Sequence, residues 1–204
     1  MLVKGSAGYQ EDPQTYCQNY ESLSFEKVHK YLLQYYPTAP AAVLDIGAGS
    51  GRDAAALARK GYFVDAVEPT LSMLEAAQQL HTEQIQWLHD GLPELSQTLS
   101  LSKRYDLILM IGVFFHLAPE ERAVALANCA KLLLPGGRIS MSLRHGPIPK
   151  DRHMFDVSDE ELLQYAADLG LQKVHYQVHD ADSFGRDSVH WSSFVFEQKK
   201  ISNL

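Results

Sequence analysis

The chain has 204 residues, 46% of them hydrophobic and 21% charged, with a formal net charge of -7. That length suits one domain able to bury most of its apolar surface, and the acidic balance argues against a nucleic-acid partner. The amino terminus lacks the apolar core of a signal peptide, and the longest apolar run, Leu107 to Phe115, is too short to span a bilayer. Cys17 and Cys129 have neither metal-ligand nor redox spacing, so they point to reduced thiols in a cytoplasmic protein with no membrane partner. The nine histidines are scattered without paired spacing, so no metal site is expected.

Residues 1–12 are small and polar and are expected to be loose. Gln14 to Tyr36 predicts helix in two pieces around Glu21-Ser22, with Phe25, Val28, Tyr31, Leu32 and Tyr35 on one apolar face. Pro37 and Pro40 end it. Residues 1–36 therefore form a tail and cap helices, and 37–200 form the main domain.

From Ala42 the pattern alternates strand and helix. Strands are expected at Ala42 to Ile46, Tyr62 to Val67, Ile85 to Leu88, Tyr105 to Ile111 and Arg138 to Leu143. Helices are expected at Ala54 to Lys60, at Leu71 to Leu80 (capped by Thr70 or Ser72), and from Pro119 to about Leu133. Ser158 with Glu161 predicts a capping box for a helix ended by Gly170. Two further strands, Leu171 to Val178 and Val189 to Glu197, have no helix between them and should pair antiparallel. Successive strand–helix–strand steps imply an α/β fold with a mostly parallel seven-stranded sheet and helices on both faces.

The chemistry centres on Asp45-Ile46-Gly47-Ala48-Gly49-Ser50-Gly51, between a strand and a helix. Glycines there let the chain turn sharply and approach a ligand closely. Asp45 precedes the first glycine by two residues, and Glu68 ends the next strand, where an acid can hold ribose hydroxyls. A nicotinamide dinucleotide would want glycine where Arg52 stands.

These residues resemble motif I and the following acidic position of class I S-adenosylmethionine (SAM)-dependent methyltransferases. The resemblance continues through His89-Asp90-Gly91, Tyr105 to Leu109 and Leu132 to Gly137, covering about residues 42–143. It implies a Rossmann-like fold, SAM as cofactor and methyl transfer as activity. It also implies that Asp45, Gly47, Gly49 and Gly51 border the amino-acid part of SAM. By the same resemblance Glu68 holds the ribose, Met73 and Ile111 line the pocket, and Asp90 binds the adenine amino group.

Ligands of such sheets bind at the carboxyl ends of the strands, where strand order reverses. His116, just past strand four, should face the methyl group, where a neutral imidazole can accept a proton. Arg144, Arg152, Arg186 and Trp191 gather after strand five. With Tyr20-Glu21 near the amino end they resemble a largely uncharacterised bacterial subgroup. Tyr20 and these four are the expected contacts of a small polar or anionic methyl acceptor. The Asn/Asp-Pro-Pro-Tyr pattern of nucleic-acid amino-methyltransferases is missing after strand four. A SAM-binding regulatory or partner-binding module without turnover is one alternative, a nicotinamide-dinucleotide-binding oxidoreductase is another, and oligomeric state leaves no mark on the sequence.

Overall fold

A computed structural model describes residues 4–149, 152–179 and 182–199. Residues 1–3 of the expected tail, and residue 200 at the expected end of the main domain, lie outside this range. Seven strands form one sheet: β1 (Ala42–Ile46), β2 (Phe63–Val67), β3 (Ile85–Leu88), β4 (Tyr105–Ile111), β5 (Leu133–His145), β6 (Gln172–His179) and β7 (His190–Glu197). Their order is β3-β2-β1-β4-β5-β7-β6. Strands β1 to β5 run parallel, and β7 is antiparallel to both β5 and β6.

The central strands read as continuous apolar runs because both faces of the sheet are covered. Side chains alternate across a strand. Leu44, Ile46, Ile108 and Met110 therefore enter one core, with Leu126 and Cys129 of α6 (Pro119–Lys131) and Leu162 of α7 (Asp159–Asp168). Val43, Leu107 and Leu109 enter the other, with Phe25 of α2 (Phe25–Val28) and Leu57 of α3 (Arg52–Arg59). Each fully buried Leu or Ile side chain contributes about 1.5–3 kcal/mol, so this double burial fixes which strands lie at the centre. Helix α4 (Leu71–Leu80) follows β2 and turns Met73, Leu74 and Ala77 inward. Neither free thiol is exposed. Among the described residues no helix is long and apolar enough to cross a membrane.

Several local expectations need correction. The amino-terminal helix is α1 (Pro13–Glu21), but the second piece shrinks to the single turn α2, followed by a 3-10 turn at Leu33–Tyr35. Of the expected apolar stripe only Phe25 and Leu32 are buried. His29 interrupts the pattern: its fully buried ring takes Tyr36 Oη at 2.5 Å on Nδ1 and Asp53 Oδ2 at 2.9 Å on Nε2. A short helix α5 (Ser96–Ser100) was not expected. Helix α3 begins two residues early, at Arg52. Residues 4–9 are not loose. Lys4–Ser6 form a 3-10 turn, and a Cβ added to Gly5 would lie 3.0 Å from the His116 carbonyl oxygen.

The Ser158 capping box is half made. Ser158 Oγ accepts from Glu161 N at 3.1 Å, but the Glu161 carboxylate faces Arg122 instead. Arg122 is 2% exposed and donates to Glu161 at 2.7 and 2.9 Å, to Leu117 O at 3.1 Å and to Asp156 O at 3.0 Å. It thus ties α6 to α7 and to the segment after β5. Glu161 is 31% exposed and can regain water, so the loss falls chiefly on the carbonyls that Arg122 satisfies. Arg122→Met should lower the unfolding free energy by about 1–3 kcal/mol, measured by urea denaturation.

Candidate active site

The order β2-β1-β4 puts the strand-order reversal between β1 and β4, and a cleft of about 600 Å³ opens there at the carboxyl ends of the strands. That volume falls within the roughly 300–1,000 Å³ of small-molecule sites. Its floor is the turn from β1 to α3. Gly47, Gly49 and Gly51 have φ of +70°, +58° and +85°, a region that L side chains rarely adopt. Contacts restrict the turn further. A Cβ on Gly51 would stand 2.6 Å from the Trp87 ring, and one on Gly47 would stand 2.6 Å from a Val113 methyl.

Two carboxylates meet at this floor. Glu68, at the end of β2, accepts from Gly49 N at 2.9 Å and Thr70 N at 2.8 Å. It therefore braces the glycine turn as well as facing the cleft. Burial raises its pKa above the ordinary carboxylate value, and the two backbone amides oppose that rise. Asp45 is 3% exposed, and its Oδ2 is a buried oxygen without a hydrogen-bond partner. Burial first, and the nearby Asp53 charge second, push the Asp45 carboxyl well above its ordinary range, with Arg52 opposing. Asp53 itself is held below its usual value: burial works against ionisation, and His29 and Arg52 outweigh it. Met73 and Ile111 also line the cleft.

Asp90 is buried next to the cleft rim. Its carboxylate accepts from Gly91 N at 2.9 Å and from Thr98 N and Oγ1, both at 2.8 Å. It is spent on the unexpected helix α5, and the cleft rim at this point is Gly91 and Leu92.

The amino-terminal segment roofs the cleft. Ser50 Oγ donates to Glu21 Oε1 at 2.7 Å, and Arg52 donates to the Tyr20 carbonyl at 3.2 Å. Together they clamp α1 onto the glycine turn. The Tyr20 ring then lies 3.4 Å from where a Cβ of Gly49 would be. Sequence reasoning missed Tyr9 and Tyr16, which line the same cleft. The four-residue spacing of Tyr16 and Tyr20, which puts both on one face of α1, was the available signal.

His116 follows β4 in a short 3-10 turn, Phe114–His116. Burial lowers its pKa to about 4, against the opposing pull of the His153 carbonyl. On the far wall, Trp191 Nε1 donates to Asp182 at 2.9 Å, and Arg186 pairs with the same carboxylate at 2.7 Å. Arg144 and Arg152 differ. Arg144 donates to the carbonyls of Gly146 and Pro147, and Arg152 lies over the rings of Tyr9 and Tyr16. Among the described residues neither has a carboxylate partner. Nor do the described residues contain a cluster of three or more His, Cys, Asp or Glu that could hold a metal.

A parallel sheet with a reversed β7, a glycine turn after β1 and an acid after β2 define a Rossmann-like methyltransferase fold. Residues 43–137 match a family described as "Methyltransferase domain". A ubiquinone biosynthesis O-methyltransferase of Coxiella burnetii is 30% identical over 114 residues, which is 55% of this chain and 47% of that protein. The chain thus spans about half the length of the curated relatives it matches. Among solved structures, a TehB-like SAM-dependent methyltransferase of Corynebacterium glutamicum superposes with a TM-score of 0.68. It has 22% identity, and the match covers 92% of this chain and 98% of that one. The 1,6-didemethyltoxoflavin-N1-methyltransferase of Burkholderia thailandensis, with bound 1,6-didemethyltoxoflavin and S-adenosylhomocysteine (SAH), gives 0.63 at 22% identity, over 94% of this chain and 80% of that one. Residues 43–137 thus carry the match to a methyltransferase-domain family, and the solved structures share the fold of SAM-dependent methyltransferases.

The residues present fit that family's cofactor. A buried carboxylate oxygen without a partner beside a tight backbone turn suits an ammonium group, and a second buried acid at the end of β2 suits hydroxyl donors. A linkage follows from the raised Asp45 pKa. The free protein holds a proton on Asp45 up to an unusually high pH, whereas an ammonium beside it favours the carboxylate. Binding of SAH should therefore release a proton and strengthen as pH rises toward the free-state pKa of Asp45. Calorimetry in buffers of different ionisation enthalpy would register that proton, and Asp45→Asn should abolish both the release and the pH dependence.

Proposed function

We propose that this protein transfers the methyl group of SAM to a small polar or anionic molecule. When bound, SAM supplies an electrophilic methyl carbon that is displaced in line. The protein aligns the acceptor, excludes water and manages charge. The relatives named above support a small-molecule acceptor at the coarser level. The observation that carries the finer reading is the contrast among arginines. Arg52, Arg122, Arg138 and Arg186 are each neutralised by a carboxylate. Arg144 and Arg152 line the cleft bonded only to carbonyls or stacked on aromatic rings. Guanidinium groups left in this state in a half-buried cleft favour an anionic ligand group.

In this reading residues 4–36 act as a cap that closes the cleft, and the acids and arginines divide the work. Asp45 and Glu68 on the floor attract the cationic cofactor. Arg144 and Arg152 hold the acceptor's anionic or polar end. His116 and Tyr20 lie between them.

Screening a metabolite library with methyl-labelled SAM would identify the acceptor. Arg144→Ala should then raise its KM roughly 10- to 100-fold, as expected for a lost charge-assisted bond. SAH affinity should stay unchanged by calorimetry. Tighter binding of NAD than of SAH to the wild-type protein would overturn the cofactor assignment.

A further inference from the structure

The surroundings of His116 define its protonation state. Nδ1 lies 2.8 Å from the carbonyl oxygen of His153. A carbonyl only accepts, so Nδ1 carries the hydrogen and the neutral ring keeps a bare lone pair on Nε2. The Tyr9 hydroxyl lies 3.2 Å from Nε2 and is therefore the donor. Tyr20, whose ring borders the glycine turn, stands on the same cleft wall. A directed chain of hydrogen bonds runs from Tyr9 through His116 to the His153 carbonyl along the cleft wall.

The chain is held in place from three sides. The Arg152 guanidinium lies 4.5 Å from the centre of the Tyr9 ring and 4.4 Å from that of Tyr16, an attraction that fixes the phenol's orientation. The turn at Gly5 presses against the His116 backbone. Phe115 packs beside the imidazole at 4.8 Å between ring centres. The charged or titratable groups that face this pair are Arg152 and His153 from the segment after β5, Tyr16 and Tyr20 from α1, and Glu68 from β2. A phenol oxygen has two lone pairs. Tyr9 donates its hydrogen to Nε2, so its oxygen can accept from a donor in the cleft.

We propose that Tyr9 meets the acceptor's reactive hydroxyl and relays its proton to His116, so that the acceptor is methylated on oxygen. This rests on the methyltransferase reading above. The acceptor oxygen bonds the methyl carbon, and the carbon–sulfur bond breaks with its electron pair left on sulfur. The acceptor's proton passes to the Tyr9 oxygen as Tyr9's own proton passes to Nε2. The products are a methyl ether, a neutral thioether and an imidazolium, which conserves charge. A buried imidazole is a weak base, yet it suffices, because the acceptor's hydrogen becomes strongly acidic once its oxygen bonds carbon. Being neutral, it is also ready to accept at physiological pH.

Two measurements on the full chain test this. In the SAH complex, 15N NMR of ring-labelled histidine should report an Nδ1–H tautomer for His116 with Nε2 hydrogen-bonded. Tyr9→Phe should move Nε2 toward the resonance of a free lone pair. Kinetics would use catechol, 3,4-dihydroxybenzoate and 4-hydroxybenzoate as hydroxyl probes, with aniline and thiophenol as controls. Transfer to a hydroxyl probe is expected, and Tyr9→Phe should lower its kcat roughly 10²-fold, with KM and SAH affinity held. Tyr9→Phe/His116→Ala should be no slower than His116→Ala alone, as for two members of one relay. A wild-type kcat in Tyr9→Phe, transfer only to the amine or thiol, or an SAH-binding protein that methylates none of the hydroxyl probes would each overturn the proposal. A wild-type protein that fails to bind SAH would instead defeat the methyltransferase reading itself.

Discussion

The structure depends on one backbone event, the reversal from β1 into α3 through three glycines in the left-handed region. Only there can the chain leave the sheet centre and start a helix within five residues. Strand β1 must be central for this turn to open into a cleft, and its continuous burial between two cores puts it there. Helix α3 must dock closely, and the small residues Ala54, Ala55 and Ala56 let it. Glu68 bonds the Gly49 amide from the neighbouring strand, so turn geometry and acid placement support each other. A side chain at position 51 would push Trp87 and His81 aside and unlock the arrangement.

Charge is partitioned around this turn. The floor keeps two acids out of water, Asp45 with its carboxyl pushed well above the ordinary range and Glu68 held by two backbone amides, so a bound cation would favour their ionised forms. Across the cleft, two guanidinium groups sit on carbonyls and aromatic rings without a carboxylate. Such uncompensated groups are uncommon in interiors and cluster where ligands bind. The cap completes the division. Glu21, Tyr20 and Arg52 clamp α1 to the floor, while Tyr9 reaches the far wall at His116. Docking the amino terminus thus joins the cofactor half of the cleft to the acceptor half.

What was legible in the sequence was local. The glycine turn, Asp45 and Glu68 could be read because backbone sterics and strand ends leave their mark on adjacent residues. Strand alternation and the antiparallel β7 followed from connection length. Tertiary choices were hidden. Asp90 sits where an adenine contact is expected, and its bonds to Gly91 N and to Thr98 N and Oγ1 of the unexpected helix α5 were not readable from the chain. Glu161 matches a capping box, yet a buried arginine outbids the backbone amide. His29 lies within an apolar helical pattern and breaks it by bonding Asp53 and Tyr36. Tyr9, in a stretch with no periodicity, acquires its place only when the fold brings it beside His116, 107 residues away.

Everything at this site depends on where the cofactor's charged groups lie. A crystal structure of the SAH complex tests this directly. The account predicts the ammonium within hydrogen-bond reach of the unpartnered Asp45 oxygen, the ribose hydroxyls on Glu68 and the sulfur facing the Tyr9–His116 wall. SAH bound elsewhere, or bound with its ribose away from Glu68 and Asp45 still without a cationic partner, would contradict it.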